Sequence, residues 1–190
     1  MYQKYQTIAL VLGSRESGEN DRVAALYTQD FGLIRARASA VRAEKSRMRY
    51  ALQHFSCAKV SLVRGRRGWR VAGASAIRSS HGQPEAIAAF ARIGELVLRL
   101  VAGEEKNEYL FGALSQAHGA LTEVRSEAWP TIEIVCVARI LYALGYLSAE
   151  ALSSALFTHT SYTGESLLEA ETMRDKLLFS INKAIAQSHL

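Results

Sequence analysis

Short apolar runs separated by turn signals fill the first eighty residues. Thr7-Ile8-Ala9-Leu10-Val11-Leu12 is one such run, and it ends at the turn signal Gly13-Ser14. Ser17-Gly18-Glu19-Asn20-Asp21 is a second turn-rich stretch, after which Val23 to Thr28 resumes an apolar run that stops before Phe31-Gly32. Ile34 to Ala40 then alternates. A two-residue period sends Ile34, Ala36, Ala38 and Ala40 inward and Arg35, Arg37 and Ser39 outward. Cys57 to Val63 and Trp69 to Ala74 flank Arg64-Gly65-Arg66-Arg67-Gly68, a five-residue hairpin loop with two glycines. About five strands with turns between them predict a small closed barrel of the OB-fold type.

Beyond residue 84 the period changes. Ile87, Phe90, Ala91, Val97, Leu98 and Val101 recur at three- and four-residue intervals, which predicts an amphipathic helix over 86–101 with Gly103 as its terminator. Glu108 to Leu121 predicts another. Thr131 to Leu144 is almost wholly apolar, has Pro130 near its first turn and ends at Gly145, as a buried central helix would. Ser148-Ala149-Glu150 starts a short helix through Phe157. Ser166-Leu167-Leu168-Glu169 has capping-box spacing and opens a long final helix through Leu178, Ile181 and Ile185. The predicted class is α+β: an N-terminal OB-fold β-barrel followed by an all-α helical domain.

Charge divides the chain at the same place. The net charge is +5 over 190 residues, but residues 1–80 hold 15 lysines and arginines against 5 acidic residues. Residues 81–190 hold 8 against 13. The boundary coincides with the turn cluster Ser79-Ser80-His81-Gly82-Gln83-Pro84, so the expected domains are 1–80 and 81–190. The apolar run from Ile8 to Leu12 is too short for a signal-peptide core, and Ile132 to Leu144 is too short to span a bilayer and is interrupted by Glu133 and Arg139. A soluble, cytoplasmic protein with no membrane contact is expected.

The basic residues carry the chemistry. Arg35, Arg37, Arg42, Lys45, Arg47, Arg49, Arg64, Arg66, Arg67 and Arg70 crowd into two stretches of the barrel sequence. Arginine suits phosphate because its planar fork donates two parallel hydrogen bonds and stays charged. Tyr27, Phe31, Tyr50, Phe55 and Trp69 lie among them; each either stacks on an unpaired base or fills the core, and core packing is the ordinary fate of any one of them. Glu19 and Asp21 lack a third ligand, and the expected role of such carboxylates is to cap backbone amides or pair with arginine in a turn. The five histidines are scattered, and Cys57 and Cys136 form no CxxC pair, which excludes a four-cysteine zinc site and a disulfide scaffold. No nucleophile elbow or phosphate-cradling loop is present. Neither an enzyme nor a cofactor or metal is expected.

Gly18-Glu19-Asn20-Asp21-Arg22, Leu26-Tyr27-Thr28, Gly32-Leu33-Ile34 and Lys45-Ser46-Arg47-Met48-Arg49-Tyr50-Ala51-Leu52-Gln53-His54-Phe55 together resemble the N-terminal domain of the RecO recombination mediator family. The helical half resembles it more loosely, through Glu95-Leu96, Leu110-Phe111 and Leu141-Tyr142-Ala143-Leu144-Gly145-Tyr146. The resemblance implies an OB-fold followed by a helical domain. It implies binding to single- and double-stranded DNA, strand annealing, and help in loading a recombinase onto DNA coated by single-strand-binding protein. The implied partners are a RecR-like mediator and the acidic C-terminal tail of the single-strand-binding protein. It places DNA contact on the basic residues named above. Two departures stand out: many relatives carry a four-cysteine zinc module that this chain cannot build, and the chain is shorter than usual. Charge and barrel alone equally suit an RNA-binding OB module or an adaptor that docks an acidic protein.

Overall fold

The computed structural model describes residues 3–43, 45–79, 83–123, 126–148, 152 and 155–187. Five strands, β1 (Lys4–Ser17), β2 (Asp21–Thr28), β3 (Gly32–Ala38), β4 (Cys57–Gly65) and β5 (Gly68–Arg78), close into a barrel in the order β1-β2-β3-β5-β4. β1 pairs with both β2 and β4, and every pairing is antiparallel except β3 with β5, which is parallel. This is the OB-fold. Val11, Leu26, Ile34, Ala36, Val60, Leu62 and Val71 fill its interior. Tyr5, Phe31 and Trp69 meet at ring distances of 5.1–5.6 Å among those core residues.

The strand pattern departs from expectation at three points. β1 does not stop at Gly13-Ser14: the register slips between Val11 and Gly13 and pairing with β2 resumes, so the glycine marks a bulge rather than a turn. β3 ends at Ala38, and Ala40 is not an inward residue. It is exposed with φ 53°, because its N–H turns to the Asp21 carboxylate instead of a neighbouring strand. The β4–β5 loop is shorter than five residues, since Gly65 and Gly68 pair directly and leave Arg66-Arg67 as a two-residue turn. The described residues of 39–56 form turns and neither helix nor strand. Val41, Ala51 and Leu52 anchor this connector in the barrel core.

The helices are α1 (Pro84–Leu100), α2 (Glu108–Glu123), α3 (Trp129–Ala143), α4 (Gly164–Thr172) and α5 (Arg174–Gln187). The chain forms two compact units, residues 1–83 with 94–111 and residues 84–93 with 112–190. In the first unit the later part of α1 and the residues after it cover one side of the barrel. Gly94 lies against Leu12 and Phe55, Leu98 lies over Gly13, and the Phe111 ring stacks on Tyr27.

In the second unit α3 is the buried element, with Ile132, Val135, Cys136, Ile140 and Leu141 inside. It packs against α5 through that helix's buried face, Leu177, Ile181 and Ala184. Pro130 sits in its first turn and Gly145 follows its end at φ +78°, as the pattern predicted. The final helix is not continuous. The Thr172 hydroxyl donates to the Glu169 carbonyl at 2.7 Å, competing with the helical backbone, and α4 ends at Met173. Nor does Ser166 cap it: Thr163 is the cap, its hydroxyl accepting the Ser166 N–H, so Ser166 already lies inside the first turn. Half of the short helix expected over 148–157 lies outside the described residues; Ala155–Phe157 forms a single 3-10 turn. No helix among the described residues is long and apolar enough to cross a membrane.

Candidate nucleic-acid interface

β3 and β5 set the site. Alternation on β3 buries Ile34, Ala36 and Ala38 and leaves Arg35 and Arg37 exposed. On β5 it buries Trp69 and Val71 and exposes Arg70 and Ala72. The parallel register puts Arg37 directly beside Arg70. Adjacent strands lie about 4.8 Å apart, so two like charges at matched positions call for an anion.

Part of that anion is internal. Asp21, at the start of β2, accepts from Arg37 Nε at 2.9 Å and Nη2 at 2.7 Å, both on Oδ2, and from the Ala40 N–H at 2.8 Å on Oδ1. The Ala40 amide first, then the Arg37 guanidinium, hold its carboxyl below the ordinary aspartate value, and the charge of Arg70 adds to this. The turn role expected for Asp21 is the one it has.

The remaining basic residues sort into those that join this face and those that do not. Arg66 and Arg67 form the β4–β5 turn, where they line one depression together with Arg70. Lys45 and Arg47 line a second depression, whose floor is Ala72-Gly73-Ala74 of β5 and whose wall includes Ser39 and Ala40. β5 is common to both, so Arg66, Arg67, Arg70, Lys45 and Arg47 flank one strand, with Arg35 and Arg37 on its neighbour. None of these seven except Arg37 has a carboxylate at ion-pair distance among the described residues. Arg42 turns to Glu16 at 3.0 Å. Arg64 shares register with Trp69; it lies 5.2 Å over that ring and pairs with Glu104 at 3.3 Å. Arg49 is exposed but lines neither depression.

Most of the aromatic residues are spoken for. Tyr27 and Trp69 are buried, Phe31 packs with Trp69, and Phe55 lies against Gly94. Of the five aromatics that the barrel sequence interleaves with arginines, Tyr50, beside Arg49, is the exposed one, at 66%. The sequence offered Asp21 as a partner for an arginine without saying which one, and did not reveal Glu16 or Glu104. Asp21 lies 16 residues from Arg37 and meets it through the β2–β3 pairing, whereas Glu104, 40 residues from Arg64, comes from the segment between α1 and α2.

The sequence that forms this barrel is similar to known proteins. Residues 1–79 match the family model described as "Recombination protein O N terminal". Over 146 residues the chain is 32% identical to the DNA repair protein RecO of Rubrobacter xylanophilus, covering 75% of this chain and 58% of that protein. The chain belongs to the RecO family. It is also 27% identical over 177 residues to the DNA repair protein RecO of Synechocystis, covering 88% of this chain and 60% of the relative. A RecO of Desulfitobacterium hafniense is 44% identical over 62 residues, 33% of this chain and 23% of that protein. The chain therefore spans less than two thirds of the length of these curated relatives. Gly18 to Arg22 makes the β1–β2 turn and the start of β2, and it is tied to the connector that leads into Lys45–Phe55, since the N–H of Arg42 donates to the Asn20 carbonyl at 3.0 Å.

Proposed function

We propose that this chain acts in DNA repair and recombination as a mediator that binds single- and double-stranded DNA and anneals complementary strands. In that role it assists recombinase loading onto DNA coated by single-strand-binding protein, together with a RecR-like partner and that protein's C-terminal tail. The observation that carries the reading is the juxtaposition of Arg35, Arg37 and Arg70 on adjacent strands, extended by Arg66 and Arg67 at one end and Lys45 and Arg47 along the side. The relatives named as DNA repair proteins support the same reading.

The chemistry needs no bond to be made. Two strands repel through their phosphates, and a cationic surface that holds both neutralises the repulsion and releases condensed counterions. Arginine forks fix the backbone while leaving base edges free to pair. Tyr50 offers a ring on which a splayed base can stack.

Salt titration tests it. With about six phosphates neutralised, single-strand affinity falls with a log–log slope of about −4. Arg35→Glu and Arg70→Glu each weaken binding irrespective of base sequence and make the slope shallower by about 0.7 or more. Fluorescence anisotropy on labelled oligonucleotides reads both. Salt-independent association, or unchanged affinity in the Arg35→Glu, Arg70→Glu pair, would overturn the assignment.

A further inference from the structure

Asp21 stands out on the basic face because it is the wrong charge for a polyanion site and yet is bonded on both oxygens. Oδ2 occupies the Nε–Nη2 edge of Arg37, the edge an arginine presents to a phosphate. Oδ1 holds the N–H of Ala40, whose backbone sits at φ 53°. Ala40 begins the connector that carries the basic segment. Its carbonyl accepts from Ala43, the Ala43 carbonyl accepts from Ser46, and Ala40, Ala43, Lys45 and Arg47 line the same depression. A left-handed alanine is unfavourable and needs surroundings that enforce it. The Asp21 carboxylate supplies that enforcement, seconded by the Asn20 carbonyl and by Glu16, both of which hold Arg42.

We propose that Asp21 is a positioning residue of the nucleic-acid face: Oδ1 fixes the basic connector against β5, while Oδ2 keeps Arg37 aligned and yields it to a backbone phosphate. This rests on the reading of that face as a polyanion site. The two oxygens thus have opposite effects on binding. Oδ1 favours it by ordering Lys45 and Arg47. Oδ2 opposes it, because a phosphate must replace the carboxylate on Arg37.

Two substitutions separate the oxygens. Asp21→Asn keeps a carbonyl oxygen for the Ala40 N–H and removes the charge from Arg37. It is expected to bind a single-stranded oligonucleotide about fivefold more tightly at 0.1 M salt, since one further phosphate contact multiplies the binding constant by salt concentration to the power of about −0.7. The salt slope steepens by the same 0.7, and the gain disappears when Arg37→Gln is added. Asp21→Ala loses both bonds; it is expected to bind less tightly than Asp21→Asn, and its Ala40 amide exchanges faster than in either the native chain or Asp21→Asn. Should the alanine variant fail to fold, the asparagine variant with its Arg37→Gln partner decides alone. Asp21→Asn binding no tighter than the native chain, or a gain that survives Arg37→Gln, overturns the proposal. Equal affinity in the alanine and asparagine variants overturns the positioning role. Absence of any binding by the native chain overturns the polyanion reading and this proposal together, whereas salt-sensitive native binding with an inert Asp21→Asn overturns only the latter.

Discussion

Arg139 lies on the central helix at 1% exposure, and its charge meets no carboxylate at ion-pair distance among the described residues. Its guanidinium instead donates to three main-chain carbonyls, Leu156 at 2.9 Å, Thr160 at 2.9 Å and Ser161 at 3.1 Å, and lies 4.6 Å from the Tyr162 ring. One side chain therefore pins the segment that leads from the 3-10 turn to α4. Its neighbour Cys136 is sealed in the same place, where burial pushes the thiol up to about 12, so it is a protonated packing group at neutral pH. Replacing Arg139 by Met strands three buried or half-buried acceptors and is expected to cost about 3 kcal/mol. Lysine would restore the charge without the planar fork and should recover less than half of that. A lower urea midpoint at unchanged slope, with Cys136 newly reactive toward a thiol reagent, is the expected result.

At the scale of elements, the glycine that opens β3 shows how closely the barrel is covered. Gly32 has φ +63°, and a Cβ there would run into the Glu105 main chain. Gly32→Ala thus combines an unfavourable backbone with a collision that only a shift of the 101–107 segment relieves. A loss of about 2 kcal/mol or more is expected in thermal unfolding. Such close approaches are what the sequence did not disclose. Strict alternation from Ile34 to Ala38 and the apolar run of α3 were legible, because their period follows directly from which side is buried. Gly13-Ser14 was misread because a bulge and a turn call for the same residues. The break at Met173 was missed because buried Ala170, Leu177 and Ile181 keep one helical stripe straight across it. The site was legible as a set of basic residues, but not as a face. Seven of the ten flank the β3–β5 pair, while Arg42 and Arg64 answer carboxylates distant in sequence, Glu16 on β1 and Glu104 after α1.

For the molecule as a whole, residues 1–80 carry the excess of positive charge, yet the barrel is covered by residues from beyond that limit. Leu12 lies against Gly94 and Tyr27 against Phe111, so a fragment of residues 1–80 would expose this apolar surface. That fragment is expected to bind a hydrophobic dye and to melt with poor cooperativity. One ending at residue 111 should keep the near-ultraviolet signature of the intact barrel. Equal melting of the two fragments would remove the covering segment from the account of stability.

The three-residue parallel pairing of β3 with β5 is the seam that turns an open sheet into a barrel, and it joins positions more than thirty residues apart along the chain. Contacts of such long sequence separation are costly to establish and come late in folding. Because Arg37 and Arg70 sit on that seam, the proposed polyanion site would exist only once closure is complete; an incompletely folded chain would have the charges without their alignment. A nucleic acid that engages both arginines would in turn act as a clasp, slowing reopening of the barrel and linking occupancy to the lifetime of the native state.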